Sequence, residues 1–430
     1  MKPEPPRPDP GRVDASGNPI PDPRTDERRT GGFAPLDDNR GAPSLSNPGV
    51  VTPSALPATP QPLPTSVRDP DTVVAGEILT LSDSMAEAIA LAQTLASRGL
   101  TVIRRQALGS FGNIVLSAFR LPAGRDVPGM LDELRQAFPQ LWVGPNSLFD
   151  SSAGSEQKPR TYAREVIGWS VVAADCGAGL RVGIVDTGVD LEHPALAGRS
   201  IVARSFLPAG ATPAPKSHGT AVTSVLVGDG AASGFPSLLP GAQILMAEVF
   251  HASEGNRVRA TAERIVLGLN WLLGEGLRVV NLSLGGPVDP ILSLIIDRAA
   301  ASGMILVAAA GNNGPNGPPA FPAVHKAVIA VTAVDAAKKV FVQANRGDYI
   351  DFAAPGVDLW LAWSNGGGSY QTGTSYAAPF VAAALALGAG EAIPPMQETA
   401  EDLGPPGRDP VYGWGLMTGR ACGALGAAAR

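Results

Sequence analysis

Cysteine is nearly absent from this chain: Cys176 and Cys422 are the only two among 430 residues. Their scarcity excludes a disulfide-dense scaffold and a zinc site built on paired cysteines or on a cysteine and histidine cluster. The two residues either form one long-loop disulfide or are two small buried side chains. The sequence alone leaves both possibilities open.

Excess positive charge and long apolar runs are also missing. The 33 basic and 39 acidic side chains give a formal net charge of −6, so we expect no nucleic-acid partner. No segment approaches the roughly 18 consecutive apolar residues of a membrane-spanning helix, so we expect no membrane span. The first residues lack the apolar core of a secretory signal, which indicates either a cytoplasmic protein or a secreted one whose signal is not part of this sequence.

Proline, by contrast, is abundant and unevenly placed. Of the 41 prolines, 17 fall in the first 70 residues, where few apolar side chains accompany them. Such a segment cannot bury enough apolar surface to offset the entropy of ordering it. We therefore predict a disordered, Pro-rich tail or linker over residues 1–75.

From residue 76 the pattern changes to six short elements in the order β-α-β-β-α-β. The predicted helices are 84–97 and 127–138, and the predicted strands are 77–81, 100–107, 113–121 and 141–144. Ser84 and Glu87 match a helix-capping box, and Gly99 stands where a helix C-cap belongs. Residues 76–150 are therefore predicted to form a small α+β, ferredoxin-like module.

A polar linker at 151–165 separates this module from a larger region at 166–421, and a short tail at 422–430 follows. The larger region alternates helical segments with near-continuous apolar strands, at 181–185, 243–249, 277–284, 304–310 and 327–334. Strands without polar alternation are typical of a parallel sheet covered on both faces. We predict an α/β fold with a doubly wound, mostly parallel sheet and a site at the carboxyl ends of its strands.

Three segments of this region contain polar side chains suited to catalysis. Asp186 ends the first apolar strand, His218 opens an apolar helix beside Gly219, and Ser375 precedes an Ala-rich helix with Pro379 in its first turn. Each residue alone has a structural explanation, as a turn, a core histidine or a helix terminus. Negative charge developing on a serine oxygen, however, is favoured at a helix N-terminus.

Together these segments resemble the motifs of the subtilisin-like serine proteases, or subtilases. Asp186 lies in D-T-G, His218 in H-G-T and Ser375 in G-T-S-Y-A-A-P, in that chain order. The resemblance implies that Ser375 is the nucleophile, that His218 is its base and that Asp186 orients the histidine. It also implies that Asn312, in an Ala-Gly-Asn segment, and the Ser375 N–H form an oxyanion hole.

The resemblance extends to substrate binding. Six residues are implied to line the cleft: Ser283, Leu284, Gly285, Ala310, Gly311 and Ala320. None of them is acidic, so the implied pocket prefers apolar P1 residues to Lys or Arg. Peptides and proteins are the implied substrates.

Many subtilases carry a ferredoxin-like prodomain that assists folding and inhibits the protease until it is cut, and residues 76–150 resemble one. The resemblance implies a self-cleaving zymogen with its own prodomain as a partner in cis, cut between Leu148 and Arg164. This precursor organisation favours export, so we expect a secreted or periplasmic protein. Two alternatives stay open: a catalytically silent peptide-binding module, and a cytoplasmic processing protease.

The chain departs from the family pattern at two places. Tyr376 follows the serine where the family often has Met. Ala195 stands where members with the strong calcium site have Asp, and residues 228–239 lack the usual Asn-rich run of ligands. Because calcium needs about six to eight oxygen ligands, we expect no such site and no other cofactor. His193 is then a turn residue.

Overall fold

The computed structural model describes Leu56 and residues 72–150, 162–169, 173–253, 257–364, 366–388 and 393–419. The tail predicted at 1–75 lies outside this part of the chain, apart from Leu56 and residues 72–75. Most of the linker predicted at 151–165 and the whole of the tail predicted at 422–430, with Cys422, also lie outside it. The boundaries proposed for these segments stay predictions.

The N-terminal module has the predicted order of elements. The described elements are β1 (Val73–Ser82), α1 (Met85–Ala96), β2 (Thr101–Leu108), β3 (Ile114–Arg120), α2 (Val127–Ala137) and β4 (Trp142–Asp150). The strands pair antiparallel in the order β2-β3-β1-β4. At the start of α1, the Ser84 side chain accepts a hydrogen bond from the Glu87 N–H at 3.2 Å, as an N-cap should.

Strand β4 is longer than the sequence predicted. The predicted strand ends at Gly144, whereas the observed strand continues through Pro145 to Asp150. Its last three residues pair antiparallel with β9 (Arg257–Thr261), which itself pairs with β8 (His251–Ser253). The extension was missed because its partner strand lies more than 100 residues further along the chain.

The larger region is built on a seven-stranded sheet in which every pairing is parallel. Its strands are β5 (Arg181–Asp186), β6 (Ile201–Ser205), β7 (Gln243–Glu248), β10 (Val279–Leu282), β11 (Ile305–Ala309), β12 (Val328–Val334) and β13 (Phe352–Pro355). They run in the order β13-β12-β11-β10-β5-β7-β6. The predicted α/β fold is thus confirmed, and the order reverses direction beside β5, where such folds form a crevice.

Helices cover both faces of this sheet. α4 (Ser217–Val227) and α8 (Thr374–Leu387) pack into one apolar core, and α6 (Ala262–Gly274) and α7 (Pro290–Ala301) pack into another. The remaining described elements are α3 (Tyr162–Val166), α5 (Gly230–Ser233), β14 (Leu359–Trp363), β15 (Gly367–Gln371) and α9 (Ile393–Thr399). Covering both faces explains why the central strands are apolar at nearly every position.

The sheet of the N-terminal module also buries both of its faces. Ile78 and Phe119 pack against α1 and α2, whereas Leu79 and Leu116 belong to the core formed by α6 and α7. Because neighbouring side chains of a strand point to opposite faces, β1 and β3 contribute to both cores. The module therefore docks through its sheet onto α6 and α7.

Cys176 is buried beside Leu238, whose carbonyl oxygen lies 3.5 Å from its sulfur, and it is half of a disulfide. Cys422, the other cysteine of the sequence, is outside the described residues. Among the helices described, none is both long enough and apolar enough to cross a membrane.

Candidate active site

The structure brings Asp186, His218 and Ser375 into one hydrogen-bonded series. The Nδ1 atom of His218 lies 2.7 Å from Asp186 Oδ1, and its Nε2 atom lies 3.1 Å from Ser375 Oγ. Asp186 and Ser375 are fully buried, and His218 is buried. With Nδ1–H donating to the carboxylate, Nε2 has a lone pair that accepts from the serine hydroxyl.

Asp186 ends β5 beside the point where the strand order reverses. Its Oδ1 atom accepts a second hydrogen bond from the Thr187 N–H at 2.6 Å. Its Oδ2 atom is buried and has no hydrogen-bond partner among the described residues. The carboxylate is therefore fixed through the same oxygen that accepts from the histidine.

Gly219 allows α4 to approach the end of β5. A Cβ atom at this position would lie 2.6 Å from the carbonyl oxygen of Thr187, closer than real Cβ atoms come to any such neighbour. The Gly219 N–H donates to Thr187 Oγ1 at 2.8 Å. This contact positions the neighbouring His218.

Ser375 lies in the first turn of α8, but the prediction for Pro379 was wrong. Pro379 is inside the helix rather than in its first turn. A proline there cannot donate to the carbonyl four residues earlier, which is that of Ser375. That carbonyl instead accepts from Ser283 Oγ at 2.6 Å, and Ser283 Oγ in turn accepts from Asn281 Nδ2 at 2.8 Å.

Tyr376, the predicted departure from the family pattern, is fully buried beside the histidine. Its ring centroid lies 5.1 Å from that of His218, and its hydroxyl donates to Gln371 Oε1 at 3.2 Å. Burial raises the pKa of the Tyr376 phenol well above its usual value, and the charge of Asp186 raises it further. The side chain is therefore a neutral wall against which the imidazole packs.

Asn312 approaches the N-terminus of α8 from the loop after β11. Its Oδ1 atom accepts from the Thr374 N–H at 3.0 Å and from Thr374 Oγ1 at 2.9 Å. These two bonds fix the amide so that the oxygen faces Thr374 and the NH₂ group faces away from it. The NH₂ group of Asn312, a hydrogen-bond donor, is thereby held at the end of α8 that contains Ser375.

The loop before Asn312 adopts a conformation that favours glycine. Gly311 has φ +107°, and a Cβ atom there would lie 2.9 Å from that of Ala320. The Gly311 N–H donates to Thr374 Oγ1 at 3.1 Å. Gly311, Asn312 and Thr374 thus form one connected unit.

The residues predicted to line the cleft fall into two groups. Gly285, Gly311 and Ala320 converge: a Cβ atom on Gly285 would lie 3.5 Å from that of Ala320. Ser283, Leu284 and Ala310 are essentially fully buried behind them. The structure therefore places Ser283 as a support for Ser375 rather than as an exposed wall.

The end of β4 lies beside Gly286 and Phe321, the chain neighbours of Gly285 and Ala320. Phe149 is fully buried, its ring centroid lies 6.3 Å from that of Phe321, and a Cβ atom on Gly286 would lie 2.5 Å from the Phe149 ring. Gly286 and Phe321 themselves exchange two backbone hydrogen bonds, of 2.8 and 3.0 Å. On its other side β4 pairs with β9.

Two side chains within β4 also bind the N-termini of helices, which sequence reasoning missed. Asn146 Oδ1 accepts from the Glu263 N–H in the first turn of α6 at 3.3 Å. Ser147 Oγ donates at 2.6 Å to Asp289, the N-cap of α7, and burial raises the pKa of Asp289 to about 6. The Asp289-Pro290 pair marks a helix start in the sequence, but nothing local indicates its partner.

An ion-pair network joins the same two parts of the chain. Arg104 of β2 donates to both carboxylate oxygens of Glu263, at 2.6 to 2.9 Å, and to Glu77 at 2.6 Å. Arg264, which is 1% exposed, donates to Glu263 at 3.0 Å. Glu263 is therefore held between one arginine of the module and one of α6.

The residues at the position of the family's strong calcium site do not fit that ion. Ala195 is buried with Phe235 and Ala362 in a small apolar cluster. His193, predicted to be a turn residue, is 2% exposed and bonds through Nε2 to the Gly367 carbonyl and through Nδ1 to the Ala195 N–H. Within the described residues, no three His, Cys, Asp or Glu side chains are grouped as ligands for a metal.

Comparison with known proteins is consistent with this geometry. The model of the subtilase family matches residues 177–415, more than half of the chain. Subtilisin DY of Bacillus licheniformis is 35% identical over 219 residues, which are 49% of this chain and 77% of that protein. Subtilisin E of Bacillus subtilis is 31% identical over 217 residues, which are 49% of this chain and 55% of that protein.

A solved structure matches a larger share of this chain than the two subtilisin sequences do. Fervidolysin from Fervidobacterium pennivorans, a keratinolytic enzyme related to subtilisin, matches 82% of this chain and 61% of its own with a TM-score of 0.67. At 23% sequence identity, this match concerns the fold alone. The chain spans only about half of the length of relatives such as subtilisin E.

Proposed function

Because this chain belongs to the subtilase family, we propose that it is a serine endopeptidase whose nucleophile, base and orienting acid are Ser375, His218 and Asp186. The observation that supports this proposal best is the continuous hydrogen-bond series from Ser375 Oγ to His218 and on to Asp186. A serine hydroxyl is a weak nucleophile unless a base within hydrogen-bond reach takes its proton. A protein that only binds peptides has no use for that base.

The reaction follows from the positions of the protons. His218 Nε2 takes the proton of Ser375 as Oγ bonds to the substrate carbonyl carbon, and the carbonyl oxygen becomes an oxyanion. The same nitrogen then gives the proton to the leaving amine, which breaks the peptide bond and leaves an acyl-enzyme. A water molecule then attacks the acyl-enzyme while His218 takes its proton, and the carboxylic acid product leaves as Ser375 regains its proton. Asp186 holds Nδ1–H throughout and stabilises the imidazolium.

The oxyanion is bound by the Ser375 N–H and the Asn312 NH₂ group. Both donors are at the N-terminus of α8, whose dipole favours the same negative charge. The support for Asn312 is the bond pair to Thr374, which orients its amide before a substrate arrives. A donor already in place costs no reorganisation when the charge develops.

The protein is made as a self-cleaving zymogen, with the N-terminal module as an inhibitor in cis. Support comes from β4, whose end lies between β9 and Gly286 as an extended substrate would. The module also assists folding, because Asn146 and Ser147 bind the N-termini of α6 and α7. The processing bond falls between Leu148 and Arg164.

The primary pocket accepts apolar P1 side chains, since Gly285, Gly311 and Ala320 provide no charged partner. We expect kcat/KM to be at least about tenfold higher for a peptide with Phe at P1 than for the same peptide with Lys, because an ammonium buried without a partner is costly. Steady-state hydrolysis of the matched pair measures this ratio. Equal or faster cleavage of the Lys peptide would overturn the proposed pocket.

Catalysis and folding need no bound calcium at the Ala195 position, and the reaction described above uses no cofactor. We expect the melting temperature in excess EDTA to stay within about 1 °C of that in buffer of equal ionic strength, because removing a ligand that is not bound costs no stability. Differential scanning fluorimetry with and without EDTA tests this. A fall of several degrees that added calcium reverses would contradict it.

The protein acts in an oxidising compartment, secreted or periplasmic. The disulfide at Cys176 supports this proposal, because disulfides persist in such compartments and are rare in the cytosol. Recovery of Cys176 as a free thiol from cells, by alkylation and mass mapping, would instead favour the cytoplasmic processing protease.

A further inference from the structure

The strand β9, with which β4 pairs, has two different faces. Phe149 and its cross-strand neighbour Ala260 both belong to the apolar core. The neighbouring pair, Leu148 and Thr261, lies on the other face and lines a cavity of about 510 Å³. The alternation follows from strand geometry, so any extended chain in the place of β4 presents every second side chain to this cavity.

Three arginines and one histidine of the larger region line the cavity. Arg257 and Arg259 of β9, Arg264 of α6 and His251 of β8 all contribute to its wall. We call the three arginines the basic face; burial and the charge of Arg264 lower the pKa of His251, so its imidazole is neutral and adds no charge. Two glutamates, Glu77 and Glu263, also line the cavity.

The two glutamates already have cationic partners. Arg104 donates to both of them, and Arg264 donates to Glu263. Arg104 and Glu77 belong to the N-terminal module and leave with it when the module is removed. Among the described residues of the larger region that line the cavity, three arginines and one carboxylate, that of Glu263, then stay behind.

The backbone register shows which position of a chain paired with β9 lies opposite a cation. The register sets Asp150 directly opposite Arg259. Directly opposite residues of an antiparallel pair interact, and unlike charges at such positions are favourable. Asp150 directly follows Phe149, so an apolar residue followed by an acid is the pattern that already pairs with β9.

We propose that the basic face makes this protein select substrates in which an acidic residue follows the apolar residue that takes the place of Phe149. The inference rests on the proposed function and adds a substrate class to it. Arg259 is the main determinant, because it is directly opposite the acid, and Arg257 and Arg264 add to the positive potential. This preference is separate from the apolar P1 pocket beside Ala320.

Three internally quenched peptides test the proposal. Each has the sequence of residues 146–165, with Asp, Asn or Lys at position 150, so that every peptide bond between Leu148 and Arg164 is included. We expect kcat/KM to fall in the order Asp, Asn, Lys, with roughly a tenfold difference between Asp and Lys, since an attraction is replaced by a repulsion. The difference should shrink as salt is raised.

Charge variants identify the residue responsible. Arg259→Gln should reduce the ratio of kcat/KM between the Asp and Lys peptides to near one, and Arg259→Glu should reverse the order. Arg181→Gln is the matched control, because Arg181 begins β5 at the opposite end from Asp186 and loses the same charge. It should keep the wild-type ratio.

The failure of this inference is distinguishable from the failure of the proposed function. Equal cleavage of all three peptides, or a wild-type ratio in Arg259→Gln, overturns the inference and leaves the protease intact. If none of the three peptides and no apolar-P1 peptide is cut, the proposed function fails and the inference fails with it.

Discussion

Ser375→Ala should leave the purified protein as one intact chain during incubation at pH ~8, whereas the wild type should be cut between Leu148 and Arg164. The variant lacks the oxygen that bonds to the carbonyl carbon, so neither the precursor bond nor an added peptide can form an acyl-enzyme. In subtilisin itself, loss of the nucleophile costs on the order of 10⁶ in turnover, and we expect a loss of that order here. Intact mass and N-terminal sequencing measure the processing.

Two controls make this result specific. Ser302→Ala removes a hydroxyl at the C-terminal end of α7, where it donates to the Arg298 carbonyl at 2.9 Å, and should be processed like the wild type. The melting temperature of Ser375→Ala should match that of the wild-type precursor measured before it is cut. A processing rate that does not change on dilution would show that the cut is made in cis. Identical cutting of Ser375→Ala would instead assign the cut to another protease.

If neither protein is cut and no peptide is hydrolysed, the catalytically silent peptide-binding module becomes the better description. The geometry argues against that outcome. Oδ1 of Asp186 is fixed by Thr187, the helix bearing His218 is held close by Gly219, and the carbonyl of Ser375 is held by Ser283. These contacts all position groups of the hydrogen-bond series of Ser375, His218 and Asp186 and contribute nothing to a peptide-binding surface.

The three residues of the hydrogen-bond series could be predicted because each is marked by its own neighbours in sequence. Asp186 ends an apolar run, His218 begins a helix beside Gly219, and Ser375 begins an Ala-rich helix. These are local signals, and the fold that unites them follows from the apolar character of parallel strands. The motifs, once placed on that fold, predict that the side chains meet.

Apart from the place of Pro379 within α8, the features that the sequence did not predict are long-range. Ser283 was predicted to line the cleft, yet its hydroxyl bonds a carbonyl 92 residues later that Pro379 leaves without a helical donor. The extension of β4 depends on β9, and the helix contacts of Asn146 and Ser147 depend on partners 117 and 142 residues away. No periodicity or spacing within a segment reports such pairs.

In the zymogen that we propose, these long-range contacts give the N-terminal module two roles through one strand. The same segment that ends in the cleft also binds the starts of α6 and α7, two helices of the core beneath the sheet. Inhibition and assisted folding therefore share contacts. A parallel sheet forms slowly because its pairings are non-local, and a template bound at two helix starts lowers that entropic cost.

Replacing Asn312 should lower kcat by about 10² to 10³ while KM changes only a few-fold, an order of magnitude that comes from subtilisin. The amide donates to an oxygen that is negative only in the transition state, so the substrate complex loses little when the donor is removed. Asn312→Ala also removes the acceptor for the Thr374 N–H and hydroxyl, which could displace the start of α8. One variant alone therefore cannot separate donation from positioning.

Asn312→Asp makes the separation, because a carboxylate keeps an acceptor for Thr374 but has no N–H and repels the oxyanion. We expect Asn312→Asp to lose at least as much kcat as Asn312→Ala. Asn313→Ala is the matched control, since Asn313 is exposed and only its backbone N–H is bonded, to Asn345; it should keep kcat within about twofold. Near wild-type kcat in Asn312→Asp together with a large loss in Asn312→Ala would show that Asn312 acts by holding α8 rather than by stabilising the oxyanion.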